Sequence, residues 1–396
     1  MDFIERALEG RINKALERGK SVLILGPRQV GKTTLVDSKL DVDFHYNFSQ
    51  AQTRMRYEKN IVQFEKDIAF QVEQFSGIPR FFIDEVQKIP AVMDVLQVFI
   101  DKKEAQFILT GSSARKLRHG CQLNLLPGRL VVFTMTSLLY EEFTKSRPSL
   151  EELLIYGSLP HIISEKDVKD REEDLFSYTT TYLEEEIRAE ALVRNVGHFS
   201  RFLELAAGES GKVLNYSKIS QDIGVSHTTI AHFYQILEDC LIAHRIDPIT
   251  NGSTKRRLIK SPRYLFFDMG VRRACANEGV RLPQGIMGDL FEHFIGNELI
   301  RHSLLSGNHV KVRYWKDAGG PEVDYVLELG EKYIPIEVKW NKEPKLKDAR
   351  HLQRFMDEHP TATKAYIISR TPQAYKLTEN ILVLPWQELN FLYLSP

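Results

Sequence analysis

The chain has 396 residues, 43% of them hydrophobic and 27% charged, with 53 Lys and Arg against 53 Asp and Glu. That length exceeds one ordinary domain and argues for two or three. The balanced charge excludes a chain-wide basic coat for nucleic acid or for a membrane surface and leaves only local patches. No apolar run approaches the ~20 residues that a membrane-spanning helix needs. The charged start MDFIERALEGRINKALERGK lacks the apolar segment of an export leader, so a cytoplasmic protein is expected. Cys121, Cys240 and Cys275 match no metal or disulfide spacing and read as buried thiols in a reducing compartment.

In chain order, the first informative stretch is SVLILGPRQVGKTTL, which runs strand, glycine loop, helix. Ser21–Leu25 is a short apolar run suited to a buried parallel strand. Gly26, Pro27, Arg28, Gln29, Val30, Gly31, Lys32 and Thr33 fit the phosphate-loop pattern G-x-x-x-x-G-K-[ST], and Thr34 follows. Gly26 and Gly31 let the backbone wrap an anion, and the inward N–H groups and the helix N-terminus add positive potential. Lys32 is placed to reach the β- and γ-phosphates of ATP, and the Thr33 hydroxyl to hold Mg²⁺.

Two further strands end in polar groups. RFFIDEVQKIP is apolar over Phe81–Ile83 and stops at Asp84 and Glu85. Acidic residues at the carboxyl end of a strand sit where open α/β sheets bind ligands, so Asp84 is a candidate Mg²⁺ holder and Glu85 a candidate base for the attacking water. QFILTGSSARKL is apolar over Phe107–Leu109 and ends in Thr110, Ser112 and Ser113. Thr110 or Ser112 can contact the γ-phosphate or orient water; the competing role for Ser112 or Ser113 is a helix N-cap.

The blocks GPRQVGKTTL, FIDEVQKIP, ILTGSSARKL and LPGRLVVFTMTSLLYEEF, in that order, resemble the amino-terminal half of a large prokaryotic family of AAA-type ATPases. In that family the ATPase module precedes a carboxy-terminal domain of unknown function. The resemblance implies an AAA+-like module with Walker A, Walker B and sensor-1 elements over residues 1–143. It also implies a contact from Arg129 to the γ-phosphate or the transition state, like an arginine finger. The alternative for Arg129 is a surface arginine that holds a carboxylate.

The middle reads as a helical lid or linker over 144–210 and a winged-helix-like segment over 211–265. LEELLIYGSLPHII gives a helix and a turn at Gly157 and Pro160, and DREEDLFSYTTTYLEEEIRAEALV a long amphipathic helix with Glu184–Glu186 on a solvated face. KISQDIGVSHTTIAHFYQIL gives two helices joined at Gly224, the second capped by Ser226, with LIAHRIDP as a following strand. The exposed face of the second helix holds His227, Thr228, Ala231, His232 and Gln235. It is polar but not basic, and basic residues come only later, in TKRRLIKSPRY; structural docking and DNA contact both stay open.

From about Gly285 on, the pattern is helix, three strands, helix, strand. In IPIEVKW, Ile334, Ile336, Val338 and Trp340 share one face, and Glu337 and Lys339 the other. In EVDYVLEL, Glu322, Asp324, Val326 and Glu328 alternate with Val323, Tyr325 and Leu327. Pairing of these strands brings Asp324 to Glu337, two carboxylates suited to a second divalent metal, with Lys339 beside them. On the preceding helix, 100° steps put Glu298 inside the buried stripe and Glu292 at its edge, so Glu298 is the expected fourth member. This arrangement looks like the PD-(D/E)xK restriction-endonuclease-like fold, although Pro321 is separated from Asp324 by Glu322 and Val323.

The expectation is an α/β multidomain protein: a parallel P-loop sheet, a helical lid, a winged-helix segment and an endonuclease-like domain over 266–396. Its expected function is Mg-dependent ATP hydrolysis, with the nucleotide state controlling the nuclease-like domain and with DNA, a second copy or another protein as partner. The alternatives are an ATP-gated metal-dependent DNA endonuclease and a non-catalytic nucleotide-bound interaction protein.

Overall fold

The computed structural model describes residues 4–113, 128–183, 196–250, 258–307 and 309–389. Glu184–Glu186, Cys121, the start of the basic stretch and whatever Ser112 or Ser113 caps fall outside them. The chain forms two compact units, one built on residues up to Leu138 and joined by Gln235–Ile242, the other on most of the chain from Leu139.

The first unit is α1 (Glu9–Glu17), β1 (Ser21–Leu25), α2 (Lys32–Lys39), β2 (Phe44–Asn47), α3 (Ala51–Glu58), α4 (Ile61–Gln74), β3 (Arg80–Asp84), α5 (Val92–Lys102), β4 (Gln106–Gly111) and β5 (Leu130–Thr134). The five strands are all parallel, in the order β2-β3-β4-β1-β5. Every residue of β1 is buried, as a strand covered on both faces requires. Phe64 and Ile68 of α4 and Val92, Leu96 and Phe99 of α5 close one core with Phe81, Ile83, Phe107 and Leu109. The carboxyl ends of β1, β3 and β4 therefore lie side by side, and the three polar segments expected from the sequence leave the sheet at one edge.

The second unit opens with α6 (Leu150–Tyr156), α7 (Pro160–Ser164) and α8 (Val168–Ser177), followed by a π-helical turn over Tyr178–Leu183 and α9 (Val196–Gly208). Ser149 caps α6, accepting from the Glu152 N–H at 3.1 Å while Glu152 returns to the Ser149 N–H at 2.9 Å. Next come α10 (Tyr216–Ile223), a left-handed turn at Gly224, and α11 (His227–Asp239), whose first turn Ser226 caps through the Thr229 N–H at 3.2 Å. His227, Thr228, Ala231, His232 and Gln235 are all exposed, as their spacing predicts. β6 (Ala243–Ile246) and β7 (Arg263–Phe266) pair antiparallel, and α12 (Met269–Cys275) follows.

A six-stranded mixed sheet carries the rest: β8 (Lys311–Lys316), β9 (Glu322–Leu329), β10 (Lys332–Lys339), β11 (Ala365–Ser369), β12 (Tyr375–Lys376) and β13 (Ile381–Pro385), in the order β12-β13-β11-β10-β9-β8. The last two strands were not foreseen. α13 (Met287–Leu305) packs on β8 and β10, and α14 (Arg350–Glu358) builds a core with Trp315, Val323, Val326 and Ile367. The strict alternation expected along β9 fails. Arg313 pairs with Val326 but Trp315 with Val323, so Asp324 and Tyr325 together oppose Tyr314 in a bulge, and Val323 and Val326 enter the same core.

Candidate functional site

At the carboxyl edge of the parallel sheet, Gly26 leaves β1 with its N–H on the Gly111 carbonyl at 3.1 Å, and the Met135 N–H reaches the Leu25 carbonyl at 2.7 Å. A Cβ on Gly26 would lie 2.1 Å from the Met135 oxygen, so only glycine permits this approach. Gly31 opens α2 at φ 93°. The buried Lys32 ammonium donates to the carbonyls of Gly26 and Pro27 at 2.7 and 2.8 Å, bracing the loop across its mouth. Arg28 is half-buried, Val30 buried, and Gln29 and Thr34 exposed.

β3 and β4 complete this edge. The Thr33 hydroxyl lies 3.2 Å from both oxygens of Asp84. The Thr110 hydroxyl also donates to Asp84, and accepts the Glu85 N–H at 3.2 Å. Glu85 holds a left-handed backbone, φ 57°, a conformation that costs a non-glycine residue about 1–3 kcal/mol and persists only where the surroundings enforce it. Its carboxylate accepts from Ser112 at 3.0 Å and from the Gln87 amide, which also donates to Ser112 at 2.9 Å. The Gln87 carbonyl oxygen is buried without a hydrogen-bond partner. A hydroxyl beside a carboxylate is a hard-oxygen pair of the kind Mg²⁺ takes, so Thr33 and Asp84 fit that ion.

Sequence reasoning missed two supports of this edge. Arg6, ahead of α1, is buried and donates to the Val30 carbonyl inside the loop at 2.6 Å and to the Thr136 carbonyl at 2.8 Å. Gln87, just past the strand exit in RFFIDEVQKIP, is the second. Nothing in the spacing marks Arg6, one of several charges on an amphipathic start. Arg129 stands elsewhere: it precedes β5 at the amino edge of the sheet, and its guanidinium forks onto Asp101 of α5, the second bond at 3.1 Å. Of the two roles open to it, the carboxylate partner is the one present. A five-residue strand at ~3.3 Å per residue separates it from the loop.

In the second unit, the β9–β10 register runs up to the pair Ile336 and Tyr325, the residues next to Glu337 and Asp324. One Asp324 oxygen accepts the Val338 N–H at 2.8 Å, and Glu337 accepts from Lys339 at 2.6 Å while its other oxygen is buried without a partner. Glu298 does not join them. It is buried on α13, where it accepts from Arg301 at 2.6 Å and from the Tyr140 N–H at 3.1 Å. Glu292 is the helix carboxylate that feels the charge of Asp324 and acts on Glu337. α13 is buried on nearly all sides, so a position inside a helical stripe says little about which neighbour it meets.

The cluster also contains a cation that sequence reasoning passed over. Arg263, the first residue of β7, has a side chain 4% exposed; it donates to Glu292 at 2.9 Å, pairs with Glu322 and lies over the Tyr314 ring at 4.4 Å. Lys316 holds Glu322 at 2.5 Å. Were all of them ionised, four carboxylates (Glu292, Glu322, Asp324, Glu337) would face three cations (Arg263, Lys316, Lys339), one negative charge in excess. Burial, then the facing Asp324, push Glu292 and Glu337 each up to about 8. Among the described residues no three His, Cys, Asp or Glu side chains form a metal-holding group. With Lys339 on Glu337, a backbone N–H on Asp324 and a guanidinium on Glu292, the residues do not fit the second divalent metal. Arg263 was legible in PRYLFFD, where an arginine opens an apolar strand and must find carboxylates when buried.

Residues 18–144 match the family model of an AAA domain. Residues 147–281 and 287–389 match two domains of unknown function, DUF8612 and DUF4143. The order implied by the resemblance, an AAA-type module ahead of a domain of unknown function, is the order found. An uncharacterized protein of Mycobacterium tuberculosis is 24% identical over 97% of this chain and 84% of its own. One of Methanocaldococcus jannaschii is 25% identical over 96% and 87%. Among solved structures, Can2 from Sulfobacillus thermosulfidooxidans in complex with cyclic tetra-adenylate aligns over 94% of this chain and 98% of its own. The sequence identity is 10% and the TM-score 0.22. Among the described residues no helix is long and apolar enough to cross a membrane.

Proposed function

We propose that the chain binds and hydrolyses ATP at the carboxyl edge of its parallel sheet. The observation that carries this is the Thr33–Asp84–Thr110 hydrogen-bonded set beside a glycine loop braced by Lys32, on a segment similar to an AAA domain. Lys32 exchanges the Gly26 and Pro27 carbonyls for β- and γ-phosphate oxygens, and the loop N–H groups take the rest. Thr33 and Asp84 would hold Mg²⁺, which supplies charge neutralisation at the phosphates. Glu85, steadied by Ser112 and Gln87, orients the attacking water and takes its proton. Oxygen of that water bonds the γ-phosphorus as the bond to the β-phosphate oxygen breaks, releasing ADP and phosphate.

In this reading the ATPase module is 1–143, the helical lid 144–210, the winged-helix-like segment 211–265 and the endonuclease-like domain 266–396. The helix, three strands, helix, strand order from α13 to β11 supports the last assignment. The polar, non-basic face of α11 favours docking to a protein over DNA. The nucleotide state then governs how the later domains are used; identical solution-scattering profiles for ATP- and ADP-loaded protein would remove that step. The deciding assay is phosphate release by wild type, Lys32→Ala and Glu85→Gln. Turnover lost in both variants, with ATP still bound by Glu85→Gln, is the expected result. Turnover retained in Lys32→Ala would refute the site, and tight ATP binding without turnover in wild type would leave a nucleotide-bound interaction protein.

A further inference from the structure

We propose that Arg263 is the resident cation of the carboxy-terminal carboxylate cluster, so that this endonuclease-like sheet is a socket that clamps β7 and does not take up a divalent metal. The proposal is independent of ATP hydrolysis. Its basis is geometric. One guanidinium nitrogen of Arg263 donates to Glu292 of α13 at 2.9 Å and stands 3.5 Å from the Asp324 carbonyl of β9; the other nitrogen pairs with Glu322 of β9. The ring of Tyr314, on β8, closes the face of the group at 4.4 Å. One side chain from β7 thus touches α13, β8 and β9 together.

A guanidinium forks between two carboxylates and stacks on an aromatic ring, and it never gives up its charge. Those are the properties of a permanent filler, in contrast to a lysine, which can deprotonate when buried. A divalent ion between Glu292 and Asp324 would have to displace this group or lie against a like charge. Lys316 and Lys339 occupy the outer carboxylates, so the chain's own cations hold the acidic set from three sides. The remaining Glu337 oxygen is buried and without a partner. Because β7 pairs with β6, the clamp also fixes the strand pair that follows the two-helix segment.

The test is Mn²⁺ uptake by nucleotide-free full-length protein, read by loss of the free-ion electron paramagnetic resonance signal. An Asp84→Asn background removes the Thr33–Asp84 pair as a competing site. The expected result is no uptake by the parent, one ion per chain with Arg263→Gln added, and loss of that ion with Glu292→Gln added. Uptake by the parent that Asp324→Asn abolishes would overturn the proposal, and so would a folded Arg263→Gln protein that takes up none. Should Arg263→Gln fail to fold, the parent decides alone. Its melting temperature stays unchanged in roughly 1 mM Mn²⁺ if Arg263 fills the site, and a rise of several degrees that Asp324→Asn removes refutes it.

Discussion

Gly26→Ala tests the nucleotide site at its tightest point. The new methyl would sit 2.1 Å from the Met135 oxygen and 3.3 Å from a Val30 methyl, where real contacts stay beyond 3.0 Å. Neither side yields cheaply. Gly26 is pinned by its bond to Gly111, and Met135 by its bond to Leu25. The loop must therefore move by about 1 Å, a displacement that costs about 100-fold where reacting groups need alignment. Overpacking of this kind also destabilises by about 1–3 kcal/mol. Steady-state phosphate release and thermal unfolding, measured on the same preparation, separate the two effects. The expected outcome is a fall in kcat/KM near 100-fold with a modest drop in the melting midpoint. Activity within threefold of wild type would refute the placement of the phosphates against this loop, and all the more if the midpoint fell.

Arg6→Met keeps the apolar stem but strips the donors from the Val30 and Thr136 carbonyls, bonds worth about 1.5–3 kcal/mol each when charged. It is expected to weaken ADP binding about tenfold by calorimetry, with kcat changed by less than threefold and Arg6→Lys recovering part of the loss. An equal fall in kcat and in affinity would argue against a positioning role. In the second unit, Glu292 and Glu337 are pushed up to about 8 from an ordinary 4.5. Asp324, Asp289, Arg263 and Lys339 act on Glu292, and Asp324, Lys339 and Glu292 on Glu337. A raised folded-state pKa stabilises most below the unfolded value, so resistance to urea should decline as pH climbs from about 4.5 towards about 8. Glu337→Gln should flatten that decline; an unchanged slope would contradict the burial of this carboxylate.

The primary structure by itself determined strands β1, β3 and β4, the glycine loop and the polar exits. Ser21–Leu25, Asp84 and Thr110 stand where short-range pattern put them, because a buried parallel strand must be apolar throughout and its end must turn polar. The two helices around Gly224 were equally local, set by a left-handed turn and a Ser226 cap. Tertiary structure decided which charges meet. Glu298 turned to Arg301 and Tyr140 while Glu292 took the cluster, because α13 is enclosed and helical phase alone cannot name a neighbour. The Asp324–Tyr325 bulge broke the period of two on which face assignments rest. Arg6 and Arg263 lie 24 and 29 residues or more from the partners cited for them, Val30 and Glu292. A buried guanidinium chooses its partners by proximity in the fold, and no spacing along the chain encodes that choice.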